Sequence, residues 1–242
     1  MAELVRLTRG AGPSFKDELM EILPQGGHLN ECLTCGLCAS GCPAAGLHDM
    51  DPRRYLRLAA YGLDSEVLGS KWAWCCTMCQ RCVRVCPMKI DIPAMVANVR
   101  GRWPLDDQPD GIRHSCNAAL QHETCSAMGC SVDDWKFVVE DVAEEVRDTQ
   151  PGWEELQAPM DRENARFFLN QNSREPITEP EEMIPLWKIL HTVGADWTYG
   201  SKGWAAENYC LFLFDTPKWE RIVRQKAEAV DGLGCDVLLN TE

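Results

Sequence analysis

Two stretches decide how this chain reads: Cys32-Leu33-Thr34-Cys35-Gly36-Leu37-Cys38-Ala39-Ser40-Gly41-Cys42-Pro43 and Cys76-Thr77-Met78-Cys79-Gln80-Arg81-Cys82-Val83-Arg84-Val85-Cys86-Pro87. Both have the pattern C-x2-C-x2-C-x3-C-P. Sulfurs three residues apart in a tight loop can cap three corners of one iron–sulfur cube, while the fourth Cys, displaced by the following Pro, reaches the cube built by the other run. The pattern predicts two [4Fe–4S] clusters. One is expected on Cys32, Cys35, Cys38 and Cys86, the other on Cys76, Cys79, Cys82 and Cys42. Structural zinc fits less well, because its sites use paired C-x2-C units and have no use for a third Cys in step plus a Cys-Pro. A disulfide framework requires an oxidising, secreted setting. The start of the chain, MAELVRLTRGAGPSF, has no apolar core of signal-peptide length and carries Glu3 early.

Fourteen of the 242 residues are Cys, too many for an ordinary cytosolic enzyme unless most are ligands, and the two runs account for eight of them. The expected compartment is reducing and cytoplasmic. The richest apolar stretch, around Met183 to Val193, is short and interrupted by Pro185, Lys188 and His191, so direct membrane insertion is not expected. Any membrane association would be peripheral, through partners. The formal charge is −13, and two oxidised clusters with their thiolates bring it to about −17. Nucleic acid is therefore not an expected partner. Charge is unevenly spread: Lys71 to Arg102 holds six basic residues (Lys71, Arg81, Arg84, Lys89, Arg100, Arg102) against Asp91 alone, whereas Asp133 to Glu182 holds fifteen acids against five bases. Cations beside a cluster offset its negative charge and raise its potential. A solvated basic face would give the same pattern.

Helical signals flank both runs. Ser14 to Asp17 reads as a helix start, with Leu19, Met20, Ile22 and Leu23 at helical spacing and a stop at Pro24 and Gly26-Gly27. Asp51-Pro52 opens a helix with Tyr55, Leu56, Ala59 and Leu63 on one face, and Asp64 caps a shorter one through Leu68. Asp91-Ile92-Pro93 starts another, expected to close at Gly101. Residues 10–103 should thus form a helical cluster domain. Asp106 to Gly111 reads as a turn-rich linker, opening an acidic linker and helical region over 104–186. Within it, Asp134 to Arg147 is an amphipathic helix with Trp135, Val138, Val139, Val142 and Val146 inward. Residues 187–242 read as a partial α/β region: Thr216-Pro217 opens a helix with a stripe of Trp219, Ile222, Val223, Ala227 and Val230, and a buried strand is expected at Cys235 to Leu239. Half an α/β unit is expected to present apolar surface to a partner.

The second run with its flanks, from Trp74 to Pro93, preceded by Pro52-Arg-Arg-Tyr-Leu-Arg-Leu-Ala-Ala-Tyr-Gly62, closely resembles the C subunit of heterodisulfide reductases. The resemblance covers roughly residues 28 to 101. It implies an α-helical ferredoxin fold with two [4Fe–4S] clusters on the eight Cys named above. The later segment, Gly194-Ala-Asp196-Trp197-Thr198 through Asn208 to Leu239, resembles the linker of the fused, disulfide-handling subunit of a sulfite-reductase-associated membrane complex, in which a C-type half is joined to a B-type half. In that family cysteine-rich CCG modules carry the substrate-side cluster. This chain has no Cys-Cys-Gly, since Cys75-Cys76 is followed by Thr77.

The resemblance implies an electron-transfer subunit without its own substrate site, relaying electrons between a donor and a disulfide- or sulfur-handling B-type partner. A flavoprotein or a membrane quinol-oxidising protein would be a further partner. The alternative is the front part of a fused, quinol-linked disulfide reductase in dissimilatory sulfur metabolism. No Gly-rich nucleotide loop, G-x-S-x-G elbow or paired-carboxylate site competes with this. Cys75 is one step out of register and reads as a spare thiol; Cys116, Cys125 and Cys130 match no standard run and read as buried free thiols, Cys210 and Cys235 as core. His28 and His48 flank the first run, and Trp72 and Trp74 are expected to shield a cluster from water.

Overall fold

The computed structural model describes residues 14–23 and 28–241. The stop signal at Pro24 and Gly26-Gly27 and the first thirteen residues lie outside that range. The chain divides into two compact units, Met1–Pro109 and Asp110–Glu242. It is mostly helical, with one small parallel sheet. Among the described residues no helix is long and apolar enough to cross a membrane.

The first unit is helical throughout. Helix α1 (Phe15–Ile22) begins at a complete capping box, Ser14 and Asp17 each serving the other's backbone N–H. Helix α2 (Pro52–Ala60) is capped by Asp51, whose carboxylate accepts from the Arg54 N–H. Leu63, expected on the α2 face, lies beyond its end as the N-cap of α3 (Asp64–Leu68). The Asp64 carboxylate caps another helix instead, accepting from the Phe15 N–H at 2.8 Å. The short helix α4 (Trp72–Cys75) leads into the second Cys run, and α5 (Arg81–Val85) lies within it. Helix α6 (Ile92–Arg102) starts at Asp91 and runs through Gly101, where the sequence suggested a stop. Phe15, Leu19, Leu29, Tyr55, Leu56, Trp72, Ile90, Met95 and Val99 close the core, and Cys76 is buried in it. The Cys loops are thus packed directly against apolar side chains.

The second unit contains the stretch read as 104–186 from Asp110 onward and all of that read as 187–242. Asp110 and Gly111, expected in a linker, form the first turn of α7 (Asp110–Gln121). Helix α8 (Val132–Thr149), capped by Ser131, buries Trp135, Val139, Val142 and Val146. The sheet is organised on β1 (Phe167–Asn172), which no sequence signal had singled out. After α9 (Glu175–Thr178) and α10 (Ile184–Thr192) come the short strands β2 (Trp197–Thr198) and β3 (Ala205–Ala206). Then α11 (Tyr209–Leu213) and α12 (Thr216–Gly232) lead to β4 (Val237–Asn240). All pairings with β1 are parallel: β2 at Phe167 and Phe168, β3 at Gln171 and Asn172, and β4 along Phe167 to Asn170. Parallel neighbours need long crossovers, which α9 and α10 provide on one side and α11 and α12 on the other.

Three expectations about this half change. The strand at the end, β4, is paired with β1 yet exposed, with Val237 and Leu238 each 41% accessible. On α12 the inward residues are Ile222 and Lys226, while Trp219, Val223, Ala227 and Val230 line a groove shared with Leu238. Cys116 and Cys210, read as unpaired buried residues, form a disulfide joining α7 to α11. Cys125 and Cys130 are buried free thiols.

The core of this unit is aromatic. Trp135 stacks on Trp204 with centroids 3.9 Å apart, and its Nε1 donates to the Gly200 carbonyl at 3.1 Å. Tyr199 meets Trp135 and Trp197 edge-on, accepts from Trp187 Nε1 at 2.9 Å and donates to Gln171 at 2.6 Å. Replacing Trp135 by Ala removes a fully buried indole and should lower stability by about 3–5 kcal/mol. Denaturant unfolding followed by tryptophan fluorescence measures this, and a loss under about 1 kcal/mol would show that the stack is peripheral.

Candidate metal centre

The eight Cys of the two runs surround two cavities in the first unit. One is lined by Cys32, Cys35, Cys38 and Cys86, together with Arg53, Leu56, Pro87, Ile90 and Ile92. The other is lined by Cys38, Cys42, Cys76, Cys79 and Cys82, with Pro43, Trp72, Arg81 and Pro93 among its walls. Each cavity is thus lined by the first three Cys of one run and by the fourth Cys of the other, and Cys38 lines both. Cys75 lines neither, its thiol facing the Lys71 carbonyl at 3.9 Å. His28 bonds Glu31 at 3.0 Å, and neither it nor His48 reaches a cavity wall. Of the two shielding tryptophans, Trp72 lines the second cavity, held by an Nε1 bond to the Ala44 carbonyl at 2.8 Å, while Trp74 packs against Trp103.

Proline explains the crossing. A residue before proline is kept out of the helical region and pushed to extended backbone. Cys86 ends α5 with φ −72° and ψ 122°, so its side chain leaves the path of its own run. Pro87 and Pro43 then become walls of the cavities that their preceding Cys enter.

The two runs also share a backbone pattern that residue types do not announce. The third and fifth positions are left-handed in both: Thr34 (φ 56°) and Gly36 (φ 82°) in the first, Met78 (φ 55°) and Gln80 (φ 66°) in the second. Alternation of this kind turns successive amides inward, making a nest for anionic groups such as iron–sulfur clusters. In the second run the Met78 N–H bonds the Cys76 sulfur and the Arg81 N–H that of Cys79. The latter bond is the main reason the Cys79 thiol lies below its usual range.

Elsewhere the protein alone disfavours thiolate. Burial pushes the Cys82 thiol up to about 12, with Cys76 adding repulsion, and Cys38 up to about 11, with Cys32 adding repulsion. Sulfurs crowded this way in apolar walls are stable as anions only when a cationic metal group takes them. The donor set, the inward amides and the adjacent guanidiniums of Arg53 and Arg81 fit a thiolate-bound cluster. Among the described residues no three His, Cys, Asp or Glu converge on one point as a single ion requires.

Sequence reasoning counts Arg81 and Arg100 as basic without placing them, and does not single out Arg53. Arg81 is packed so tightly under the first run that a Cβ on Gly41 would collide with its guanidinium. Arg100, on α6, is fully buried and donates to the Ala73 carbonyl at 2.9 Å and the Cys76 carbonyl at 2.5 Å. Burial lowers its guanidinium to about 10, so it stays charged near neutrality.

These features define an iron–sulfur protein, and residues 28–90 match the family described as a 4Fe-4S dicluster domain. Curated relatives are heterodisulfide reductase C subunits. The chain is 33% identical over 75 residues to the C subunit of the H2:CoB-CoM heterodisulfide, ferredoxin reductase of Methanothermobacter marburgensis, covering 31% of this chain and 40% of the relative. It is 36% identical over 90 residues to the C subunit of the ferredoxin:CoB-CoM heterodisulfide reductase of Methanosarcina acetivorans (37% and 34% of the two chains). The iron–sulfur C subunit of the CoB–CoM heterodisulfide reductase of Methanopyrus kandleri is 31% identical over 94 residues (36% and 49%). The chain thus spans less than half the length of each of these relatives.

Gly36→Ala tests the nest. At φ +82° a Cβ is strained whatever space surrounds it, and the substitution should cost about 1 kcal/mol, read as a lower denaturation midpoint of the metal-loaded protein. An unchanged midpoint would show that the loop can relax.

Proposed function

We propose that the chain is an electron-transfer iron–sulfur subunit of a heterodisulfide-reductase-like complex, built on an α-helical ferredoxin fold with two [4Fe–4S] clusters. Cys32, Cys35, Cys38 and Cys86 hold one, Cys42, Cys76, Cys79 and Cys82 the other. The observation that supports this reading is that Cys86 lines the cavity of Cys32, Cys35 and Cys38, while Cys42 lines that of Cys76, Cys79 and Cys82. One-electron traffic through such clusters needs no substrate pocket on the same chain, and the partner does the disulfide or sulfur chemistry.

A CCG-containing B-type chain is the proposed partner, docking on the second unit. The groove between α12 and β4, with exposed Val223 and Leu238, supports this. Deleting residues 187–242 would strip β1 of every pairing strand, so point changes are the better test. Val223→Glu with Leu238→Glu should abolish co-purification with the B-type partner while leaving iron content unchanged; retained binding would place the interface elsewhere.

Anaerobically prepared protein should carry about eight iron and eight acid-labile sulfide per chain, and no zinc. Cys42→Ser should damage the cluster built by Cys76, Cys79 and Cys82, and Cys86→Ser the opposite one, as resolved by electron paramagnetic resonance. Loss of only the cluster of each residue's own run would refute the crossed ligation. Iron should be retained in Cys75→Ala.

A further inference from the structure

The two cavities are alike in loop backbone and in one lining arginine each, but not in buried charge. Arg100 lies fully buried beneath the Cys76 loop, its guanidinium fixed by the Ala73 and Cys76 carbonyls, 3.3 Å from the Met78 sulfur and 5.3 Å from the Trp74 ring. Helices α2 and α6 are equivalent in their entry, each capped by an Asp whose carboxylate accepts from the N–H three residues on. At the distance from Asp51 that separates Arg100 from Asp91, α2 has Ala60. The first half thus has a methyl group where the second has a cation. The remaining charges add to the difference: the Asp51 carboxylate acts on Cys38 in the first cavity, whereas Arg100 acts on Cys76 and Arg81 on Cys79 in the second.

A cation in apolar surroundings is poorly screened, and it favours the more negative, reduced state of a neighbouring cluster. We propose that Arg100 is a positioning residue that holds the 73–78 backbone in its nest and makes the cluster of Cys42, Cys76, Cys79 and Cys82 the more readily reduced of the pair. With clusters held in both cavities, Arg100 would favour the reduced state at the second, so that an electron given up by the first cluster would be taken up by the second with no bond or proton changed. The inference rests on the two-cluster reading and gives it a direction.

The test is a reductive titration of the anaerobically prepared full chain, followed by electron paramagnetic resonance, with Cys35→Ser and Cys79→Ser used to assign each signal to its cavity. The signal altered by Cys79→Ser should be reduced first in the wild-type order. Arg100→Gln should shift that signal to more negative potential and leave the other in place, while Arg100→Lys, which keeps the charge, should retain most of the wild-type value. Reduction of the Cys35-linked signal first, or unchanged potentials in Arg100→Gln with both clusters present, would overturn the proposal. If Arg100→Gln loses a cluster, the wild-type order of reduction decides alone. About four iron per chain in the wild type would instead overturn the two-cluster reading itself.

Discussion

The structure of the first unit depends on a conformational restriction at Cys42 and Cys86. Proline after each excludes the helical backbone at the Cys, and Cys86 accordingly leaves α5 with extended angles. Each fourth sulfur is thereby sent to the cavity framed by the other run. Without the crossing, the two C-x2-C-x2-C loops would be independent sites on one chain. With it, the lining of each cavity draws on both runs, and on residues at the starts of α2 and α6. The helix starts reflect this: Pro52 and Arg53 on α2, and Ile92 and Pro93 on α6, contribute to the walls of the two cavities.

How much was legible in the sequence follows from what spacing encodes. Cys positions and the Cys-Pro steps point to the residues that line the two cavities, because three-residue steps and proline restrict where side chains point. Spacing says nothing of the backbone sign at Thr34, Met78 and Gln80, since left-handed angles are ordinarily signalled by glycine and only Gly36 supplies one. The matched positions in the two runs were the available clue. Arg100 was one of six basic residues until burial separated it from the others. The Gly101 stop failed because α6 is held by packing of Met95, Val96 and Val99 in the core, which overrides the weak propensity cost of one glycine.

The second unit was read less well for a different reason. Its central strand, Phe167–Asn172, ends in Asn170-Gln171-Asn172, text that suggests a loop. Asn170 and Gln171 are nonetheless buried, because Asn170 bonds Asn240 at 2.9 Å and Gln171 bonds the Tyr199 hydroxyl. Buried amides are tolerated when paired, but the partners come from residues distant in sequence, so no local window reveals them. The Cys116–Cys210 disulfide spans 94 residues and was hidden in the same way. Here the apolar strand that looked like core, β4, is the exposed one, and the polar strand is the centre.

Charge completes the account of the site. The chain is acidic overall, yet Lys71 to Arg102, which contains the second Cys run, is rich in cations. Placing anionic sulfur in apolar walls is costly unless it is paired and hydrogen-bonded. The raised thiols of Cys38 and Cys82 show that cost directly, since both prefer to keep their protons when only protein surrounds them. Three devices offset it in the fold: amides turned inward by left-handed residues, guanidiniums of Arg53 and Arg81 in the walls, and Arg100 beneath the second loop. The amides are repeated in both halves and cannot distinguish them. Among the described residues of this unit, Arg100 is the fully buried guanidinium, and it lies beneath the second loop alone.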